Sequence, residues 1–112
     1  MESGSSERAA IVVKRDAEKD IKMRSLDVYV DDQFSVDLTY PGEYRAEVDP
    51  GDHSVKVSNR LYSRSLRVPL KAGETVTVEA GNYVTGVGTV MMSVLGMGPY
   101  KVFLREVGRT GG

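Results

Sequence analysis

The sequence predicts an all-β fold, an antiparallel β-sandwich of about seven to eight strands. Apolar and polar residues alternate in one short run after another, and turn residues separate these runs about every eight to twelve positions. No run carries the apolar stripe of an amphipathic helix. A chain of 112 residues has the usual size of one domain, so a single sandwich core is expected.

The first strand is predicted in "AAIVVKR", which begins at Ala9 and is mostly apolar. The next stretch, "RDAEKDIKMRS", contains good helix formers but only Ile21 and Met23 as apolar anchors. Two anchors cannot form a stripe at helical spacing. We therefore expect a polar loop here, with at most a short helical turn.

Three hairpins are predicted along the middle of the chain. "SLDVYVDD" and "FSVDL" alternate around an Asp-bearing turn, which makes Leu26–Leu38 the first hairpin. "YRAEV" and "HSVKV" flank Pro50 and Gly51, whose backbone preferences suit a turn, and form the second. The third hairpin consists of the strands "SLRVPL" and "TVTVEA", joined by the turn "KAGE".

Two further features complete the predicted strand set. Pro69 lies within the run "SLRVPL" and cannot donate a ladder hydrogen bond, so its strand is expected at a sheet edge. The run "YKVFLREV" near the carboxyl end supplies the last strand. We expect residues 1–8 to be a disordered tail, 9–108 a single β-sandwich domain, and 109–112 a flexible tail.

Composition limits the possible functions. The net charge is −1 and the basic residues are scattered among acidic ones, whereas a nucleic-acid site needs concentrated positive charge, so we expect no nucleic-acid partner. The chain contains no cysteine, which excludes disulfides and thiolate chemistry. The start "MESGSSERAA" lacks a basic region followed by an apolar region, so we expect no secretory signal peptide in this chain.

Part of the chain resembles a known family. The segment "LDVYVDDQ" resembles the strand and turn of PEGA modules, "VDPGDHSVKV" their proline-glycine turn entering a strand, and "LRVPLKAGETVTVEA" their closing hairpin. The match spans residues 26–80, although Asp32 stands where the family has glycine. PEGA modules are bacterial β-sandwiches of the transthyretin-like and carboxypeptidase-regulatory-like pattern. The resemblance implies an Ig-like sandwich that acts as an accessory or interaction domain, associated with the bacterial cell envelope.

Residues that could carry chemistry are few. His53 is the only histidine, and it follows the turn at Asp49 and Asp52. It has no second base nearby in sequence, and Ser54 points to the opposite strand face. We therefore expect His53 to be an exposed turn residue, and we expect no catalytic residues. The glycine pairs in "GVG" and "GMG" lack both the third glycine of G-x-G-x-x-G and the Gly-Lys-Ser/Thr of a phosphate-binding loop. We therefore expect no cofactor.

The aspartates of the predicted turns are also candidate calcium ligands. Calcium takes six to eight oxygen ligands, and several aspartates occupy turns that could meet at one end of a sandwich. No loop has the spacing of a dedicated calcium motif, and Asp in a turn commonly bonds its own backbone, so we expect no metal. The residues concerned are Asp31, Asp32, Asp37, Asp49 and Asp52.

The stretch from Ala80 to Tyr100 is the most informative part of the sequence. It contains no charged residue, although 28% of the chain is charged. Its glycines and Pro99 argue against a transmembrane helix, and we predict the end of a strand followed by an apolar, methionine-rich loop. Adaptable apolar side chains of this kind suit partner binding when they are exposed together, and they form a core plug when covered. The residues are Val90, Met91, Met92, Val94, Leu95 and Met97.

The sequence thus favours a non-enzymatic interaction module that binds a protein partner or itself through this loop. The alternative is a peripheral membrane protein that inserts residues 89–98 at the bilayer interface, with Lys101 and Arg105 near the base of the loop. A calcium- or ligand-binding domain built on the Asp-bearing turns ranks third.

Overall fold

The computed structural model describes residues 7–18, 20–22, 24–83 and 101–111, and in these ranges the chain forms a β-sandwich. The alternating runs become strands because side chains on a strand point to opposite faces in turn, which lets one face be buried. The strands are β1 (Ala9–Arg15), β2 (Leu26–Val30), β3 (Gln33–Leu38), β4 (Gly42–Val48), β5 (Gly51–Ser58), β6 (Ser63–Leu70), β7 (Thr75–Tyr83) and β8 (Lys101–Thr110).

The strands form two four-stranded sheets, which confirms the predicted sandwich. The first sheet has the order β4-β1-β7-β8 and the second has the order β3-β2-β5-β6. Neighbouring strands are antiparallel, except that β1 and β7 run parallel. The two strands of that pair are far apart in the sequence, so no short connection has to join them.

The core lies between the two sheets. Its members alternate along each strand with residues of the opposite face, as period-two patterning predicts. Burying a side chain such as Val, Leu or Ile contributes about 1.5–3 kcal/mol, so the shared core is the main stabilising feature of the fold. The core residues with no exposed surface include Ile11, Val13, Leu26, Val28, Val55, Val57, Val68, Val76, Val78 and Ala80.

The first predicted hairpin is confirmed. Strands β2 and β3 pair from Leu26 opposite Leu38 up to the turn. Asp31 and Asp32 form the turn with φ of 51° and 65°. Two left-handed residues are what a tight hairpin turn requires, and Asp tolerates this conformation better than most residues.

The second and third predicted hairpins are wrong in their pairing. Strand β4 pairs with β1, whereas β5 pairs with β2 and β6, so the turn at Pro50 and Gly51 carries the chain from one sheet to the other. The turn after β6 does the same, because β7 belongs to the first sheet. Alternation indicates which face of a strand is buried, but it does not indicate the partner strand.

The structure also tests the expectations for Pro69, for the connection between β1 and β2, and for the carboxyl end. Pro69 does lie on an edge strand, because β6 is the outermost strand of the second sheet. The described residues between β1 and β2 form neither a helix nor a strand. Strand β8 continues to Thr110, so Arg109, expected in a flexible tail, lies in a strand instead. Arg109 is held there by ion pairs to Glu74 and Glu106.

The sandwich has two ends, which differ in how they are held. The Tyr83 end contains the last residues of β1, β3, β5 and β7, the first residue of β8, and the connections 16–25 and 59–62. The His53 end contains the turns 31–32, 49–50 and 71–74 and the last residues of β8.

Candidate functional site

The residues predicted to bind a partner lie in the segment 84–100, outside the described residues. The structure does place the two residues that flank this segment. Tyr83 and Lys101 are directly paired across β7 and β8. The segment is therefore attached to the sandwich at two adjacent positions of the Tyr83 end. The side chains concerned are Val90, Met91, Met92, Val94, Leu95 and Met97.

A buried ion pair lies next to this attachment. The side chains of Arg15 and Asp20 are both fully buried. The guanidinium of Arg15 donates from Nε to Asp20 Oδ2 at 2.8 Å and from Nη2 to Oδ1 at 3.2 Å. Its Nη1 donates to the carbonyl of Leu38 at 2.8 Å. One arginine thus joins the end of β1, the end of β3 and the 16–25 connection.

Asp20 also joins the 16–25 connection to β7. Its Oδ1 accepts the backbone N–H of Lys22 at 2.8 Å and that of Asn82 at 3.3 Å. The backbone N–H of Ile21 donates to the carbonyl of Asn82 at 3.0 Å. A carboxylate that accepts several hydrogen bonds and contacts a guanidinium is well compensated for its burial.

Asn82 extends these contacts to the second sheet. Its side chain has no exposed surface, and its Oδ1 accepts from Nδ2 of Asn59 at 3.0 Å. Oδ1 of Asn59 accepts the backbone N–H groups of Leu61 and Tyr62 at 2.9 and 2.8 Å. We refer to Arg15, Asp20, Asn59 and Asn82 as the polar network. It connects both sheets directly below the attachment of segment 84–100.

The sequence analysis missed the polar network, although a signal for it exists. Arg15 continues the inward register of Ile11 and Val13, and Asn82 continues that of Val78 and Ala80. A polar residue at an inward position must find a partner, because an unpaired buried polar group is costly. Two such positions on neighbouring strands indicate a buried polar contact.

His53 joins two turns at the opposite end. Its side chain is 13% exposed, so the expected exposed turn residue is instead largely covered. Its Nδ1 lies 2.6 Å from Oδ2 of Asp31, and its Nε2 lies 2.5 Å from the carbonyl oxygen of Asp49. Both ring nitrogens therefore face acceptors within the chain, and only the doubly protonated ring can donate to both.

The pKa values of this pair shift in the matching directions. Partial burial by itself would lower the pKa of His53, but the bonds to Asp31 and to the Asp49 carbonyl outweigh it and raise that pKa. Burial would raise the pKa of Asp31, whereas the bonds from His53 and from the N–H of Ser54 lower it overall. A charged pair at this site therefore holds the turns together.

His53 brings the turns of Asp31 and Asp49 together, but other contacts use the carboxylates of Asp31 and Asp52, and Asp37 lies within β3 instead of a turn. Asp31 binds His53 and the N–H of Ser54, and Asp52 lies 3.7 Å from Arg67. Within the described ranges, no group of three or more His, Asp or Glu side chains is arranged to hold a metal ion.

A second charged cluster at the His53 end surrounds Arg109. Its guanidinium donates two hydrogen bonds to Glu106, at 3.0 and 3.1 Å, one to Glu74 at 2.9 Å and one to the carbonyl of Pro69 at 2.6 Å. The bonds from Arg109 lower the pKa of Glu106. An open cavity of about 390 Å³ adjoins this cluster, but the bonds of Arg109 already satisfy both carboxylates.

Comparisons with other proteins add no identification. The sequence matches no protein-family model and no curated protein. In the described part of the chain, no helix is long and apolar enough to cross a membrane.

Proposed function

We propose that this chain is a non-enzymatic β-sandwich module that binds a protein surface through segment 84–100, with a second copy of itself as the first partner to test. The observation that carries the proposal is the composition of this segment: it has no charged residue and contains three methionines within residues 91–97. Apolar, adaptable side chains are typical of surfaces that bind partners.

The attachment of segment 84–100 to the sandwich supports this proposal. Tyr83 and Lys101 hold the two ends of the segment at adjacent positions. The polar network fixes Asn82, the residue before Tyr83 at the end of β7. Binding loops are commonly carried on a rigid scaffold, because a scaffold that is already ordered reduces the entropy lost on binding.

Two further observations support an interaction module over an enzyme. The only histidine has both ring nitrogens engaged within the chain, which leaves neither available to a substrate. The resemblance of residues 26–80 to PEGA modules also favours an accessory domain of the bacterial envelope.

The test is the mass of the full chain in solution, measured by light scattering over a concentration series. We expect the wild type to exceed 12.2 kDa, the mass of one chain. The double variant Met92→Asp with Leu95→Asp should return to that mass, because a charge placed in an apolar contact is costly. Phe34→Asp is the matched control, since Phe34 is 60% exposed and lies on the second sheet beside the turn 31–32, at the end opposite Tyr83 and Lys101. A wild type that stays at 12.2 kDa at every concentration contradicts self-association.

The bilayer interface is the second candidate. Lys101 supports it, because this cation lies at the base of the charge-free segment and suits an anionic lipid surface. Flotation with liposomes separates the two candidates. Wild-type chain that floats with anionic liposomes, while the double variant does not, favours the membrane candidate; wild-type chain that stays in the dense fraction excludes it.

A further inference from the structure

A small pocket opens beside the attachment of segment 84–100. Its volume is about 210 Å³, smaller than the roughly 300–1,000 Å³ typical of sites for drug-sized ligands. The pocket therefore fits a small group. It is lined by Tyr62, Ser63, Arg64, Tyr83, Lys101 and Val102.

The pocket lies between the edges of the two sheets. Strand β6 is the outer strand of the second sheet and β8 is the outer strand of the first. Nε of Arg64 donates to the carbonyl oxygen of Val102 at 3.3 Å, which holds the start of β6 against the start of β8. The pairing of Tyr83 with Lys101 forms the adjacent wall. Strand pairing and the bond from Arg64 to Val102 thus hold the two sides of the pocket together.

Two cations line this pocket without a carboxylate partner. Neither Arg64 nor Lys101 forms an ion pair with any Asp or Glu in the ranges that the structure describes. Neighbouring arginines behave differently, since Arg60 pairs with Asp27 and Arg105 with Glu79. The segment between the lining residues Tyr83 and Lys101 contains neither Asp nor Glu in its sequence, so it brings no negative charge.

The remaining polar side chains are hydroxyls. Tyr62, Ser63 and Tyr83 each carry one, and each hydroxyl can donate a hydrogen bond. Arg64 uses only Nε in its bond to Val102, and a guanidinium has five N–H donors in total. The lining therefore combines positive charge with an excess of donors over acceptors.

We propose that this pocket binds an oxyanion, specifically a phosphate group. The guanidinium, ammonium and hydroxyl groups of the lining residues match the several acceptor oxygens and the negative charge of phosphate. The phosphate can come from a free ion or from a lipid headgroup, and the same donors recognise both. This inference does not rest on self-association through segment 84–100.

The first arm of the test uses inorganic phosphate. Isotope-labelled full chain is titrated at pH 7.5 and constant ionic strength, with chloride as the replaced anion. We expect saturable shifts of the backbone amide signals of Arg64 and Lys101. Arg64→Gln and Lys101→Gln should each weaken the apparent Kd about tenfold, because a charge-assisted hydrogen bond is lost.

Matched controls exist on the same two strands. Arg67→Gln on β6 and Arg105→Gln on β8 remove the same charge from residues outside the pocket, and both should leave the Kd within about twofold, since exposed charges act weakly at a distance. The double variant Met92→Asp with Leu95→Asp should retain phosphate binding, which separates this site from the proposed function. Shifts that grow linearly without saturation, or that fall equally in the controls, exclude free phosphate as the ligand of this pocket.

The second arm distinguishes the two sources of phosphate. Flotation is measured with phosphatidylcholine vesicles that contain or lack phosphatidic acid. Binding that requires phosphatidic acid and is lost in Arg64→Gln, but kept in Arg67→Gln, identifies a lipid headgroup as the ligand. Saturable binding of free phosphate without vesicle binding identifies a soluble ligand. Failure of both arms refutes the pocket as an oxyanion site.

Discussion

The two ends of this sandwich are held by different kinds of polar contact. At the Tyr83 end, the side chains of Arg15 and Asp20 are completely buried, and so are the hydrogen bonds that Arg15 donates and the bond between Asn59 and Asn82. At the His53 end, His53 and Arg109 are 13% and 27% exposed, and Asp31 is 46% exposed. Water therefore competes for the contacts of His53 and Arg109 but not for the pair of Arg15 and Asp20.

This difference has a functional consequence. Burial strengthens an ion pair whose partners are fully hydrogen bonded and makes the loss of one partner costly, whereas water and salt weaken an exposed pair. The end that carries segment 84–100 is the end with the buried contacts. A surface intended for binding gains from such a support, because its attachment points stay in place.

The largest difference between the ends is expected when one partner of the buried pair is removed. Arg15→Met leaves the carboxylate of Asp20 buried without its guanidinium, so the free energy of unfolding should fall by about 3–5 kcal/mol. Urea denaturation followed by circular dichroism measures this change. The control is Arg67→Met, which removes an exposed pair 3.7 Å long and should change stability by about 0.5 kcal/mol or less.

A double variant sharpens this first prediction. Arg15→Met combined with Asp20→Leu removes both charges, so much of the lost stability should return. If Arg15→Met costs no more than Arg67→Met, the polar network does not support the Tyr83 end as described.

A smaller effect is expected from the close packing of β7 at this end. A Cβ added at Gly81 would lie 2.6 Å from the ring of Phe103 and 2.7 Å from Oδ2 of Asp20, so Gly81→Ala should cost about 1–3 kcal/mol through forced displacement. Gly108→Ala on the paired strand β8 is the control, because its Cβ would meet nothing within 4 Å. Thermal unfolding should show a lower Tm for the first variant and an unchanged or slightly higher Tm for the second. Equal behaviour of the two would argue against tight packing around Gly81.

The smallest effect is expected at the His53 end and depends on pH. The pKa of His53 is raised above its ordinary value of 6.5, so its charged form stabilises the fold fully below that value, and this contribution is lost as pH rises through the folded-state pKa. The pKa of Asp31 is lowered from 3.8, so its contribution is present above 3.8 and is lost as pH falls through its folded-state pKa. The pair therefore stabilises the fold most between these two ordinary values.

His53→Gln provides the matched measurement for this pH dependence. Because His53 is the only histidine, the wild type should lose stability from pH 6 to pH 9 more steeply than the variant does in urea denaturation. Parallel curves for the two proteins would show that the bridge to Asp31 and Asp49 contributes nothing.

The sequence predicts much of the fold and little of the candidate site. Alternation identifies the strands and their buried faces, as with Val28 and Val55, because burial of one face imposes period two. It does not reveal that β4 and β5 belong to different sheets, since a turn such as that at Pro50 joins strands within or between sheets equally well. Sheet assignment depends on distant partners, such as β7 beside β1.

The polar network shows the same limit. The inward register of Arg15 and Asn82 could be read from the sequence, whereas their partners could not. Asp20 reaches Arg15 from a connection without regular structure, and Asn59 reaches Asn82 across the sandwich, so both contacts depend on tertiary geometry.

The central claim is that the polar network makes the Tyr83 end the more rigid of the two. Native-state hydrogen exchange tests it through two sets of amides. The amide of Ile21 donates to the carbonyl of Asn82, and the amide of Asn82 donates to Asp20. We expect both amides to exchange only through global unfolding. The amide of Ser54 donates to Asp31, and we expect it to exchange through a local opening of lower free energy. Exchange of Ile21 and Asn82 at a lower opening free energy than Ser54 would contradict the account.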